Sequence, residues 1–305
     1  MDRQRKNSER MFPTIKSELY VYGACAGEAY PPWRCQRHLH HMMFELNLVL
    51  EGSQTVIVGN REYKQRSGEL LLIPPMQPHE AYVDDPAGMR YFVMHVQLDD
   101  PAFLQLLHDS GKVYFAGDEE VNLLLMPELE SIMGLLSDGS SRISVFHKLY
   151  GMLDKLEKHL LRERERQPVS PANTLALRIA QSIERMVTTP KDDISAWPAD
   201  WLEEISRKLN STRKHSYRVF QRQYGMSPRE YMTILRQQEA MQLLLGGSDT
   251  VERIALRVGY DNPQSFIRQF AKWTGATPGE FRRNRRSQED IYYLIPLEVQ
   301  SMNPT

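Results

Sequence analysis

Apolar positions change their period along the chain. Between residues 20 and 98, short apolar runs alternate with turn signals: FELNLVLEG, SQTVIVGN, GELLLIPP and RYFVMHVQL. The β-branched run Thr55-Val56-Ile57-Val58 favours strand. Gly59-Asn60 suits a two-residue turn, and Pro74-Pro75 and Asp84-Asp85-Pro86 punctuate the later segments. Many short strands at this spacing predict a sandwich or barrel. From about residue 119 the texture becomes helical and Leu- and Met-rich, over 121–137 and 144–166. In the second stretch Phe146, Leu149, Leu153, Leu156 and Leu160 step by threes and fours, a seam of about two heptads. That seam fits packing on the protein's own barrel and, equally, pairing with a second copy.

Residues 162–171 (RERERQPVSP) are charged and then proline-rich, which marks a linker. Helical punctuation resumes over 175–187, 201–209, 212–223, 229–245, 251–258, 264–273 and 278–286. The expected organisation is a first unit over 1–166, with a barrel at about 20–100 and helices at about 119–166. A linker at 167–171, a helical unit over 172–286 and a tail over 287–305 complete the chain. The fold class is multidomain α+β.

The helical unit repeats itself. At an offset of 50, Arg218 falls on Arg268, Phe220 on Phe270, Gly225 on Gly275, Pro228 on Pro278 and Glu230 on Glu280. Upstream the offset is 49, placing Ile205 on Ile254, Ser206 on Ala255 and Asn210 on Gly259. Each copy reads helix, tight turn, helix. In the second copy Ile254, Ala255 and Val258 supply a buried face, Gly259 suits the turn, and Asp261 or Asn262 caps the next helix. Phe266 and Phe270, four apart, anchor that helix inward. This is the pattern of a helix-turn-helix, which sets its second helix in the DNA major groove. Gln264 and Arg268 then project outward; glutamine pairs with adenine and arginine with guanine. The first copy offers Lys214, Tyr217 and Arg218. A helix over 229–245, ended by Gly246-Gly247, is long enough to hold two such helices about one DNA turn apart.

Charge sharpens this picture. The whole chain of 305 residues carries a net −1. Residues 201–286 hold 16 basic and 8 acidic side chains, a net +8, which leaves −9 on the remainder. A basic module joined to an acidic unit points to a polyanion partner for the former. No run of about 18 apolar residues suggests a membrane span, and the N-terminal MDRQRKNSERMF lacks the apolar core of a secretory signal. Two cysteines, Cys25 and Cys35, are too few for a disulfide framework. A cytoplasmic protein is expected. Phosphate loops, Gly-x-Ser-x-Gly elbows and His-Glu-x-x-His helices are absent from the sequence.

The stretch IALRVGYDNPQSFIRQFAKWTGATPGEFR closely resembles the C-terminal signature of AraC/XylS-type transcription regulators, ending at Phe281-Arg282. The likeness extends over about 172–286 and includes Arg236, Ala240 and Leu244 of the connecting helix. It implies two helix-turn-helices joined by a helix. Three departures stand out: Ser216 and Ser206 where an apolar residue and a small Ala are expected, and an insertion at 196–199. In the N-terminal half, His38, His40, Glu45, Gly52, Gly68, Pro74 and His79 resemble a cupin pattern, with Met76 replacing a usual Gly and Val83 a usual Asn.

The resemblance implies a cupin-like barrel that binds a small effector, often a sugar or related metabolite. In cupin enzymes the positions of His38, His40, Glu45 and His79 hold a metal, with His41 an alternative in register here. Fold analogy does not establish chemistry. The expectation is therefore that Trp33, His38, His40, Glu45 and His79 line an effector pocket, with no metal, cofactor or catalytic residue. The expected partners are double-stranded DNA, a small-molecule effector, a second copy of the chain and RNA polymerase. A metal-dependent cupin enzyme with an appended nucleic-acid module is the alternative function. An RNA-binding protein is a third, disfavoured because the A-form major groove excludes side chains.

Overall fold

The computed structural model describes residues 15–40, 43–166, 171–189, 198–246 and 248–284. Seven strands come first: β1 (Leu19–Ala29), β2 (Arg34–His38), β3 (Phe44–Val58), β4 (Arg61–Arg66), β5 (Leu70–Ile73), β6 (His79–Tyr82) and β7 (Met89–Leu98). All their pairings among the described residues are antiparallel. The runs FELNLVLEG and SQTVIVGN form one strand and not two. Gly52, at φ +73°, is where β3 changes partners. Its first half runs beside β7 and β5, and Ser53–Val58 beside β4 and β6. This single strand thus belongs to both walls of the rolled sheet. The Gly59-Asn60 turn forms as expected, with Val58 opposite Arg61 and Gly59 at φ +61°.

Helix α1 (Pro101–Ser110), strand β8 (Tyr114–Phe115) and helices α2 (Glu120–Ser137) and α3 (Arg142–Arg166) come next. The sequence pattern did not suggest α1, yet its ends are well specified. Asp100 accepts the Ala102 and Phe103 N–H groups at 3.0 Å, and Gly111 closes the helix at φ +61°. Alternation divides the sheet's residues. Phe44, Leu46, Leu48, Leu70, Leu72, Phe92, Met94 and Val96 pack on Phe103, Leu125, Leu149 and Leu153 of the helices. Glu45, Asn47 and His95 point to the opposite, interior face, because side chains alternate along a strand. The seam residues Leu149, Leu153, Leu156 and Leu160 are buried in that same helix-on-sheet core, with Phe146 at its edge. Of the two uses open to the seam, the structure takes packing on its own sheet.

The C-terminal half is helical: α4 (Pro171–Thr188), α5 (Trp201–Lys208), α6 (Arg213–Tyr224), α7 (Pro228–Gly246), α8 (Val251–Arg257), α9 (Pro263–Thr274) and α10 (Pro278–Asn284). Residues 162–166 of the charged run continue α3. Pro171, assigned from sequence to the linker at 167–171, opens α4, where a proline's missing N–H has no helical acceptor to lose. Residues 167–170, the tail at 287–305, positions 196 and 197 of the insertion, His41, Gly247, Arg285 and Arg286 lie outside the described residues. One helical core gathers Ile179, Ile183, Phe220, Tyr224, Tyr231 and Leu235 around the first motif. Another gathers Leu244, Ile254, Ala255, Val258, Phe266, Phe270 and Phe281 around the second. The first core also contains Leu39 and Met76 from the β domain. Among the described residues no helix is long and apolar enough to cross a membrane.

Candidate functional site

The two helix-turn-helix copies use equivalent devices. At their turns Asn210 takes φ +53° and Gly259 φ +86°, so asparagine fills in the first copy a left-handed position that glycine fills in the second. Thr212 caps α6 by accepting the His215 N–H at 3.2 Å. Asn262 caps α9 by accepting the Gln264 N–H at 2.7 Å. The serines that depart from the family pattern are fully buried but satisfied. Ser206 Oγ donates to the Leu202 carbonyl at 2.7 Å, and Ser216 Oγ lies 3.1 Å from Ser211 Oγ. Hydroxyls therefore replace methyl groups here without leaving a buried polar atom unpaired.

Phe220, Phe266 and Phe270 turn inward, and the residues singled out for DNA contact turn outward. Lys214, Tyr217 and Arg218 are exposed on α6, and Gln264 and Arg268 on α9. Arg268 makes a marginal contact to Ser265 Oγ at 3.4 Å, and its guanidinium stays in solvent. Arg218 reaches His215 Nδ1 at 3.3 Å and lines a cleft of about 700 Å³ between α6 and the sheet, with Asn60, Tyr63, Gln77, His108 and Arg222. Part of the basic excess is structural. Arg282 donates to the Leu244 and Asp249 carbonyls at 3.2 and 2.6 Å, closing the C-terminal end of α7. Arg257 pairs with Glu239 at 3.5 Å and Asp249 at 3.8 Å.

A second constellation lies inside the β domain. His38 ends β2, His40 stands two residues on, Glu45 sits on β3 and His79 starts β6. One ligand-capable atom from each of the four lies within 4.8 Å of all the others, and all four residues are buried. His95, on β7 directly opposite Glu45, joins them. Sequence reasoning missed it, since a single histidine in the apolar run RYFVMHVQL carries no spacing signal. Glu45 Oε2 lies 3.2 Å from His40 Nε2, 3.0 Å from His79 Nε2 and 3.3 Å from His95 Nε2. Its other oxygen accepts from Asn47 Nδ2 at 3.1 Å. Asn47 continues to Gln54 and on to Gln65, a polar chain through the interior. Trp33 is half-buried and packs on Tyr91, on the apolar wall of Val49, Val83 and Met89, and on the cluster of Val56, Val58, Leu71, Ile73 and Ala81, in which Ile73 stands opposite Glu45.

Electrostatics sort the cluster's charges. Burial, and then the neighbouring His79 and His40, hold His38 well below the ordinary histidine pKa. Burial and His95 lower His40 to about 3. Burial raises the Glu45 pKa, but His79 and the hydrogen bonds from the imidazoles outweigh it and hold the carboxyl well below its usual range. A neutral His38 and His40 beside an ionised Glu45 are protonation states that suit a metal ion. His38 Nδ1 donates to the Gln36 carbonyl at 2.8 Å and His79 Nδ1 to the Gln77 carbonyl at 3.0 Å. Such bonds set the orientation of the two rings. His38, His40, Glu45 and His79 together offer a donor set that fits a divalent transition metal.

The cluster adjoins the first helix-turn-helix. Leu39, between His38 and His40, is fully buried in that motif's core, and its carbonyl accepts from Gln238 on α7. Met76 enters the same core. Its N–H donates to the His40 carbonyl at 2.7 Å, and its carbonyl accepts from Tyr231 at 2.9 Å. Met76 stands at φ +67°, the conformation that suits the glycine it replaces. The side chain explains the substitution: it reaches a neighbouring core that glycine could not. Arg37 secures the other side by donating to the Tyr224 carbonyl at 2.9 Å and to the Gly59 carbonyl.

Comparison with known proteins agrees with this architecture. The AraC-like ligand binding domain matches residues 21–153, and a helix-turn-helix domain matches 205–284. The HTH-type transcriptional regulator YdiP of Escherichia coli K12 is 30% identical over 307 residues, covering 95% of this chain and 98% of that protein. The chain belongs to the AraC family of transcription regulators. Its likeness to the lactose operon transcription activator of Staphylococcus xylosus, 35% identical, is confined to 83 residues, 27% of this chain and 30% of that protein. Apo ToxT from Vibrio cholerae shares the fold at 13% identity and a TM-score of 0.51, over 88% of this chain and 98% of that one. For an AraC-family chain, these relatives lend no support to an enzyme.

Proposed function

We propose that this AraC-family regulator reads a specific duplex site through α6 and α9 together. The observation that supports it best is the pair of capped helices, each with an aromatic side turned inward and a polar side free, joined by α7. That connector has 19 residues, about 28 Å of helix. Gln264 and Arg268 read bases in one groove segment, and Lys214, Tyr217 and Arg218 in the next. An effector received by the β domain alters how α6 is held, which requires unequal affinity for two states of the protein. The sugar operon named for the Staphylococcus relative makes sugars and related metabolites one class to screen. Action as a cytoplasmic homodimer and contact with RNA polymerase complete the reading. Ile143, Tyr150 and Leu161 on the outer side of α3 remain exposed for a second copy.

Selection from random duplex DNA with the full-length protein tests this. Two enriched boxes about one helical turn apart are expected. Enrichment of a single box would remove α6 from base reading, and no enrichment at any effector condition would end the proposal.

A further inference from the structure

The cleft between α6 and the sheet is built from both halves of the chain and carries charge of one sign. Arg61 at the start of β4 and Arg218 and Arg222 on α6 line it, and among the described residues no aspartate or glutamate does. The part of the chain outside 201–286 is nonetheless acidic, at a net −9. Arg61 and Arg222 form no ion pair among the described residues, and Arg218 has only its 3.3 Å contact with His215. Other arginines of this half find carboxylates: Arg213 pairs with Asp200 at 3.5 Å and Arg253 with Asp249 at 3.4 Å. Gln77 adds a second, independent observation. It is only 7% exposed, it lines the cleft, and its side-chain amide has no hydrogen-bond partner among the described residues. Its donors and its acceptor are left for whatever fills the space. Burial holds His108 at a pKa of about 4 despite the Pro75 carbonyl, so that imidazole enters the cleft neutral. The walls are set close together, since a Cβ on Gly59 would stand 2.6 Å from the Gln223 carbonyl oxygen.

We propose that this cleft binds a small organic polyanion, a phosphate monoester or a di- or tricarboxylate, between Arg61 of the β domain and Arg218 and Arg222 of α6, and that the bound anion competes with the first DNA box for α6. Guanidinium groups take carboxylate and phosphate oxygens through paired hydrogen bonds. A cleft lined by one sign of charge concentrates the opposite ion. A volume of about 700 Å³ at a domain boundary suits a metabolite and excludes a double helix. Val58, Pro74, Val113 and Val219 offer too little apolar wall for an acyl chain. Arg218 cannot pair with the anion and reach a base at once, so the two ligands weaken each other by the same factor. The competition rests on the regulator reading, while the anion site itself does not.

Calorimetric titration of the full-length protein with citrate and with glucose 6-phosphate, at one ionic strength and with glucose as the neutral control, tests the site. One anion per chain and no uptake of glucose are expected. Arg61→Gln and Arg222→Gln should each weaken the anion about tenfold or more, with circular dichroism unchanged. A preference for citrate assigns polycarboxylates and a preference for glucose 6-phosphate assigns phosphate monoesters; either upholds the site. Uptake of neither anion, or uptake indifferent to both substitutions, overturns it. The preferred anion should also lower affinity for the selected operator at constant ionic strength, and not in Arg61→Gln. Operator binding indifferent to the bound anion overturns the competition. Weaker operator binding by Arg61→Gln with no anion present gives the cleft to the DNA backbone and overturns the small-anion site. Anion uptake with no operator recovered keeps the site and removes the regulator reading.

Discussion

The Tyr231 hydroxyl donates to the Met76 carbonyl at 2.9 Å, joining helix α7 of the DNA-binding half to a loop of the β domain. Tyr231 is fully buried and Met76 nearly so, so water cannot replace the bond. Tyr231→Phe removes the donor and leaves a buried carbonyl acceptor, a loss of about 1–3 kcal/mol. Denaturant titration of the full chain measures it. Hydrogen exchange should place the loosening at residues 74–78 and along α7, with the second motif unaffected.

Met76→Gly sets two effects against each other. Relief of the left-handed backbone returns about 1 kcal/mol, and loss of a buried methionine side chain costs about 2–5 kcal/mol. The net expectation is destabilisation, read as a lower denaturation midpoint. A gain in stability would mean that the side chain contributes little to the shared core.

Arg268→Ala should weaken specific DNA binding by about 1–3 kcal/mol and relax base preference at one position. Binding to selected and scrambled duplexes, compared at one salt concentration, decides it. Equal loss on both would make Arg268 a phosphate contact. Arg282→Ala should instead lower stability, because that guanidinium holds the Leu244 and Asp249 carbonyls.

Burial raises the Glu184 pKa to about 7 despite Arg185 beside it. The folded state thus binds a proton that the unfolded chain releases near pH 4.5. Stability contributed by the protonated form is present below that value and declines as pH rises toward 7. Because the group is partly open to solvent, about 1–2 kcal/mol is expected from a shift of this size. Glu184→Gln should raise the unfolding midpoint at pH 8 and leave it nearly unchanged at pH 4.

The helical half was legible in the sequence because each copy carries its turn, caps and inward aromatics within one short stretch. Phe266, Phe270, Gly259 and Asn262 all stand where local rules put them. The first copy was harder to read. Ser206 and Ser216 look like faults until Leu202 and Ser211 are seen to satisfy them. The cupin pattern correctly grouped His38, His40, Glu45 and His79. It could not reveal His95, whose role comes from strand pairing with Glu45 50 residues earlier in the chain. Met76 read as a departure from a glycine rule, and its reason lies in a core more than 100 residues away in sequence. Those are relations of register and docking, to which periodicity is blind.

The two helix-turn-helices are not equally attached. The first shares its core with Leu39 and Met76, whereas the second, among the described residues, packs its phenylalanines with residues of its own half. On the proposed reading of DNA by both helices, this asymmetry would give engagement an order in time. Helix α9 would meet a duplex first, while α6, flanked by the cleft and fastened at its end through Tyr224 and Arg37, would complete the complex later. Encounter would then be governed by the second box and residence time by the first. A signal acting on the β domain would thus lengthen or shorten occupancy of the operator without changing how fast it is found.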